Sequence, residues 1–208
     1  MDDVLIATSG DKSWHTEATH KFLDLLEANN PYLKAEKCVW DLPHIDYQGL
    51  ILEKGVTCMD PAKIEGIANW PVPKLVTEVC SLMGFWIFYH PFIYWYSHIT
   101  KPLNNLIMKG PFIWDGKCQK AYKMLKQRVT SEPVLAQAQL DKQFKIEVNA
   151  SGYAIGVVLL QRGEDRKQYP ITYYSATISE AKRNYDIYNL KFLAISRATD
   201  HWRQYIVG

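Results

Sequence analysis

Apolar and polar residues alternate along this chain with several different periods. Val4 to Thr8 is a short apolar run that ends at Ser9-Gly10-Asp11, which predicts a buried strand entering a turn, with Asp2 and Asp3 at its start. From Ser13 to Asn29 the apolar positions Ala18, Phe22, Leu25 and Leu26 recur at helical spacing, and Asn29-Asn30-Pro31 ends the helix. Lys37 to Trp40 and Ile45 to Leu52 read as two strands with Gly55 in the turn beyond. Asp60-Pro61 predicts a helix start, the aspartate capping and the proline in the first turn, with Ile64, Ile67 and Ala68 facing inward. Trp70-Pro71-Val72-Pro73 stops that helix, and Val79, Leu82, Met83 and Trp86 mark a second from Val76 to about Tyr89. Ser97 to Leu106 and Lys117 to Val129 extend the helical texture, the latter through Ala121, Met124, Leu125 and Val129.

The texture then changes. Phe144, Ile146 and Val148 alternate with polar neighbours and Ala154 to Gln161 is mostly apolar, which predicts a β-hairpin around Ser151-Gly152. Tyr169 to Ser175 supplies a third strand. Tyr185, Tyr188, Phe192, Ile195 and Thr199 predict one amphipathic C-terminal helix with those residues on its buried face. The fold class is α+β, with its main domain boundary in the linker from Ser131 to Lys142.

Composition narrows the function classes. The chain has 208 residues, 48% of them hydrophobic, enough for real cores. Twenty-four Lys and Arg against 22 Asp and Glu create no global basic field, so nucleic-acid binding must come from local patches. Cys38, Cys58, Cys80 and Cys118 show no C-x-x-C pairing, which argues against a zinc knuckle and a secreted disulfide framework and for an intracellular protein, in cytoplasm or nucleus. His15 with His20, and His90 with His98, lack cysteine or carboxylate partners at metal-site spacing. Two aspartates without a basic flank do not read as a signal peptide. Leu82 to Tyr96, broken by Gly84, His90 and Pro91, is too short to span a bilayer and predicts a buried helix followed by an aromatic turn.

Several strings are recognisable. Met1-Asp2-Asp3-Val4-Leu5-Ile6 resembles the end of the reverse transcriptase motif in which two aspartates sit on a tight hairpin. Lys37-Cys38 and Tyr47-Gln48-Gly49-Leu50-Ile51 resemble the segment leading into the primer grip; Lys63-Ile64-Glu65, Trp70-Pro71-Val72-Pro73 and Leu82-Met83-Gly84-Phe85 resemble the thumb. Lys101-Pro102-Leu103, Phe112-Ile113-Trp114 and Pro133-Val134-Leu135 resemble the connection. Asn149-Ala150-Ser151-Gly152-Tyr153 and Asn184-Tyr185 with Leu193-Ala194-Ile195 resemble the ribonuclease H domain. In this order they make the chain similar to the Pol polyprotein of gypsy-type long-terminal-repeat retrotransposons. The resemblance implies a palm remnant of strands and a helix over residues 1–52, a helical thumb over 53–110, a connection over 111–140, and an incomplete ribonuclease H-like α/β domain of three antiparallel strands and one helix over 141–208.

Both activities of that family, RNA-directed DNA synthesis and cleavage of the RNA strand of an RNA:DNA hybrid, use paired magnesium ions held by carboxylates. By resemblance Asp2 and Asp3 are the polymerase pair, but the partner aspartate of an earlier strand is absent, so they bind metal weakly and are vestigial. In the ribonuclease H part the first acidic position is Asn149, and the glutamate that precedes the helix motif is replaced by Lys191 before Phe192-Leu193-Ala194-Ile195. A neutral amide is a poor magnesium ligand, and an ammonium puts positive charge where a cation should sit. Glu147, alternating with Val148, is expected on the opposite face of its strand. Cys80, His90 and Pro91 stand where the family tends to carry basic thumb residues. Replacements of arginine by Cys80 and His90, of aspartate by Asn149 and of glutamate by Lys191 are each reachable by one C-to-T or G-to-A codon change, as expected of a decayed, cytosine-deaminated element copy. The expectation is an inactive polymerase and nuclease fragment that binds no magnesium, whose partner in the family is an RNA:DNA hybrid or template-primer duplex, bound weakly or not at all here, with no membrane or secreted partner. The alternative is a host-recruited, non-catalytic module binding nucleic acid or protein. For that role Lys117, Lys120, Lys123, Lys126 and Arg128 would touch phosphates, and Trp70, Trp86, Trp95 and Trp114 either stack on bases or form core, the latter favoured. Asn149 and Lys191 are expected to converge in the fold.

Overall fold

The computed structural model describes residues 4–8, 11–29, 33–53, 55–108, 111–131 and 134–206. Asp2 and Asp3 lie outside them. The first sheet is an antiparallel meander in the order β1 (His44–Tyr47), β2 (Leu50–Glu53), β3 (Val56–Met59), β4 (Val134–Ala136). Gln48 and Gly49 both have positive φ, 52° and 80°, as a two-residue hairpin loop requires, so the run from Ile45 to Leu52 folds back at its middle and is not one strand. The expected palm and thumb boundary at residue 52 thus falls inside a sheet, and residues 134–136 of the expected connection complete it.

Two other expected strands do not form. Val4–Thr8 is irregular, and near Lys37–Trp40 the chain makes a 3-10 turn, Ala35–Lys37, followed by unpaired backbone. Neither segment has a ladder partner among the described residues, and a strand is defined by its ladder. The helix predicted over Ser13 to Asn29 is present as α1 (Lys12–Asn29), yet none of its residues is buried; Phe22 and Leu26 are half-buried and Leu25 is 63% exposed.

The first core belongs to the helices that follow. Asp60 accepts a hydrogen bond from the Ala62 amide and opens α2 (Pro61–Ala68), of which Ile67 is buried and Ala68 is exposed. Helix α3 (Val76–Tyr89) buries Val79, Leu82, Met83, Trp86 and Tyr89 against α4 (Tyr96–Ile99), α5 (Lys101–Met108) and α6 (Gly116–Ser131). No helix among the described residues is long and apolar enough to cross a membrane.

The second core sits between a three-stranded antiparallel sheet, β5 (Phe144–Ala150), β6 (Ala154–Arg162) and β7 (Gln168–Thr177), and α7 (Ile187–His201); a short α8 (Arg203–Ile206) follows. The helix turns Leu190, Ala194 and Ala198 to the sheet, with Trp202 just beyond it. The predicted face is the wrong one: Tyr188 is 81% exposed, Phe192 73% and Ile195 42%. Both sets recur at helical spacing, and the small alanines win because they let the helix approach the sheet closely.

Eight of the nine β6 residues are buried, because both faces of the sheet are covered. The face away from α7 meets the segment around α4. Trp95, in left-handed backbone with φ 61°, sits on Gly156, where a Cβ would stand 3.3 Å from three atoms of the indole ring. Beside it the Ser97 amide donates to Ser175 Oγ at 3.1 Å, and Tyr94 and Tyr173 pack with ring centres 5.7 Å apart. The linker from Ser131 to Lys142 is sewn to both units: Gln137 Nε2 donates to the carbonyls of Glu53 and Val56, and buried Gln161 bonds Gln139 N, Gln139 O and Lys142 O.

Candidate functional site

Strand β5 alternates between half-buried and exposed residues over its whole length. Ile146, Val148 and Ala150 pair across from Leu159, Val157 and Ile155 and turn toward α7. Lys145, Glu147 and Asn149 point the other way and are exposed. Glu147 therefore shares its face with Asn149, contrary to the expectation that it points away, because positions two apart on a strand lie on one side. It is engaged by Lys145, whose Nζ lies 2.7 Å from Glu147 Oε1. Asn149 Oδ1 accepts the amide of its own neighbour Ala150 at 3.0 Å.

Helix α7 is started by Asp186, whose carboxylate accepts the Asn189 amide at 2.8 Å and Asn189 Nδ2 at 3.1 Å. Lys191, one residue beyond buried Leu190, is exposed and makes no hydrogen bond or ion pair among the described residues. Strand alternation turns Asn149 to the side of the sheet that α7 does not cover. Asn149 pairs across from Gly156, and Lys191 is exposed on the helix that packs against Asn149's own strand. A magnesium ion needs several hard oxygens in a near-octahedral shell. One amide oxygen, one carboxylate already held by a lysine and an ammonium do not fit that group. No cluster of three His, Cys, Asp or Glu with metal-site geometry occurs among the described residues.

The other candidates separate cleanly. Lys117, Lys120 and Lys123 are exposed on α6. Lys126 is instead folded inward: its ammonium donates to the carbonyls of Ala68 and Trp70 at 2.9 and 2.6 Å and lies 4.7 Å from the Tyr122 ring centre, so it caps the end of α2. Tyr122 donates its hydroxyl to the same Trp70 carbonyl. Trp86 is fully buried, Trp70 packs on Phe85, and the Trp114 Nε1 donates to Gln119 Oε1 at 2.8 Å; these are core residues, as the more favoured reading held. His15 ties Thr8 to Asp41, with Thr8 Oγ1 at 3.0 Å and Asp41 Oδ1 at 3.6 Å, a surface contact without a further ligand. Sequence reasoning missed two features that depend on the tertiary fold: the Trp95 seat on Gly156, and the two cations, Lys101 and Arg183, that each pack on the Tyr153 ring. No spacing in the chain signals either.

The comparisons with known proteins agree with this architecture. Residues 114–208 match the RNase H-like domain found in reverse transcriptase. The whole chain is similar to the Transposon Tf2-3 and Tf2-7 polyproteins of Schizosaccharomyces pombe, each 34% identical over 209 residues, which is 99% of this chain and 16% of either polyprotein. The chain thus spans about a sixth of those relatives and corresponds to a retrotransposon Pol region that carries the RNase H-like domain. The fold is also that of the foamy viral protease-reverse transcriptase solved with an RNA/DNA hybrid, with a TM-score of 0.74 and 18% identity over 93% of this chain and 26% of that one. A second structure of that enzyme with double-stranded DNA gives 0.75 and 18%, over 97% and 36%.

Proposed function

We propose that this chain is a catalytically silent reverse transcriptase and RNase H-like fragment that retains nucleic-acid binding. The observation that carries the silence is the pair Asn149 and Lys191: an amide and an ammonium at the positions where the resemblance calls for carboxylates. Water cannot be activated against a phosphodiester there without a metal, and the donor set does not suit one. Binding of an RNA:DNA hybrid or a template-primer duplex needs only local cations and shape, which the exposed lysines of α6 supply in part. An intracellular location, cytoplasm or nucleus, goes with this reading and is supported by four unpaired thiols. The test is incubation of the purified chain with a labelled RNA:DNA hybrid and magnesium. No cleavage is expected, with binding that weakens as salt rises; magnesium-dependent cleavage overturns the proposal.

A second reading, a host-recruited protein-binding module, is favoured by one observation, the exposed Tyr188, Phe192 and Ile195 stripe on α7. It predicts binding that is insensitive to salt and lost on Phe192→Ser.

A further inference from the structure

Three segments distant in sequence meet at the seam between the two cores. Lys101, the first residue of α5, carries its Nζ 4.0 Å from the centre of the Tyr153 ring, and the Arg183 guanidinium carbon lies 5.8 Å from the same centre. Tyr153 closes the turn between β5 and β6, and Arg183 follows the 3-10 turn Glu180–Lys182. Two cations drawn to one ring repel each other, and the electron-rich face of the tyrosine offsets only part of that. Glu180 reaches Arg183 at 3.6 Å, but its side chain is 90% exposed, so the pair neutralises little. Lys101 has no carboxylate partner among the described residues. The cluster keeps net positive charge at a defined geometry, with the ring fixing where each cation stands. The Tyr153 backbone is itself anchored, its carbonyl accepting the Ile178 amide at 2.7 Å.

We infer that Lys101, Tyr153 and Arg183 form a seat for a backbone phosphate of a bound nucleic-acid duplex, assembled from both units and present only while they are docked. This rests on the nucleic-acid reading above and names the subsite. A guanidinium and an ammonium both donate to phosphate oxygens, and a phosphate bound at this ring offsets the positive charge of the cluster. Docking depends on Trp95 lying flat on Gly156, because Lys101 arrives on the helix that follows the Trp95 segment while Tyr153 and Arg183 arrive with the sheet.

The experiment measures fluorescence anisotropy of a labelled RNA:DNA hybrid with the full 208-residue chain from about 50 to about 200 mM salt. The double variant Lys101→Gln with Arg183→Gln is expected to lower the slope of log affinity against log salt by about 1, equally for hybrids of unrelated sequence. Lys101→Arg with Arg183 intact keeps the full slope. Gly156→Val, which changes no charge, is expected to lose the same increment by wedging the seam open. An unchanged slope in the double variant, whatever its thermal stability, reduces the cluster to a structural staple and overturns the seat while leaving the nucleic-acid reading in place. A full slope in Gly156→Val overturns its assembly across the seam. A wild-type chain that shows no salt-dependent binding overturns both readings together.

Discussion

At the scale of single residues, the chemistry is decided by which side of a strand a side chain takes. Restoring a carboxylate with Asn149→Asp places it beside Glu147 on one exposed face. Those two acids offer magnesium a weak site. Calorimetric titration with magnesium is expected to show weak binding for Asn149→Asp and none for the unmodified chain; equal heats for the two would contradict the placement of Glu147 beside position 149. His201 supplies a second residue-scale prediction. Burial, and then the nearby His90, lower its pKa from the usual histidine value, so the folded state prefers it neutral. The unfolded chain binds more protons in that range, and stability therefore rises with pH. The contribution is present above about pH 6.5 and fades as pH falls through the lower folded value. Denaturant melts between pH 5 and 7 are expected to show a shallower pH dependence for His201→Gln than for the unmodified chain.

At the scale of elements, helix α7 shows what pattern alone conveys. Its existence follows from the sequence, as do β5 to β7, the Asp60-Pro61 start of α2 and the apolar face of α3. Its buried face does not, because a count of large apolar residues favours Tyr188 and Phe192, whereas close packing on a sheet favours Leu190, Ala194 and Ala198. The meander was missed for a related reason: the Gln48-Gly49 turn interrupts an apolar run without breaking its alternation, and β4 is only three residues long. Glu147 was put on the wrong side of β5 because its alternation with Val148 was weighed without asking which side Asn149 takes two residues on. Two substitutions test the assigned face. Ala194→Leu overpacks the helix against β5 and β6 and is expected to cost about 1–3 kcal/mol in denaturant melts. Phe192→Ser on the opposite face is expected to change stability by no more than about 0.5 kcal/mol.

At the scale of the whole molecule, the two cores are joined through β4, Gln161 and the Trp95 seat, and helix α1 contributes to neither. Helix α1 buries no residue, and Trp14, Leu25, Val39, Trp40 and Leu42 are 49 to 68% exposed. An isolated helix of this length is marginal in water without a packed face. Amide exchange should therefore divide the chain sharply, with α1 unprotected while α3 and β6 exchange only through global opening. The exposed aromatics and the α7 stripe together present apolar surface of the kind that drives association. Light scattering should report growing particle size as the concentration of the purified chain is raised, and the triple variant Trp14→Ser, Trp40→Ser and Phe192→Ser should stay monomeric at the same concentrations with an unchanged melt of the two cores. A wild-type chain that stays monomeric and shows slow exchange throughout α1 would mean that the helix has a packed face, in conflict with its exposure here.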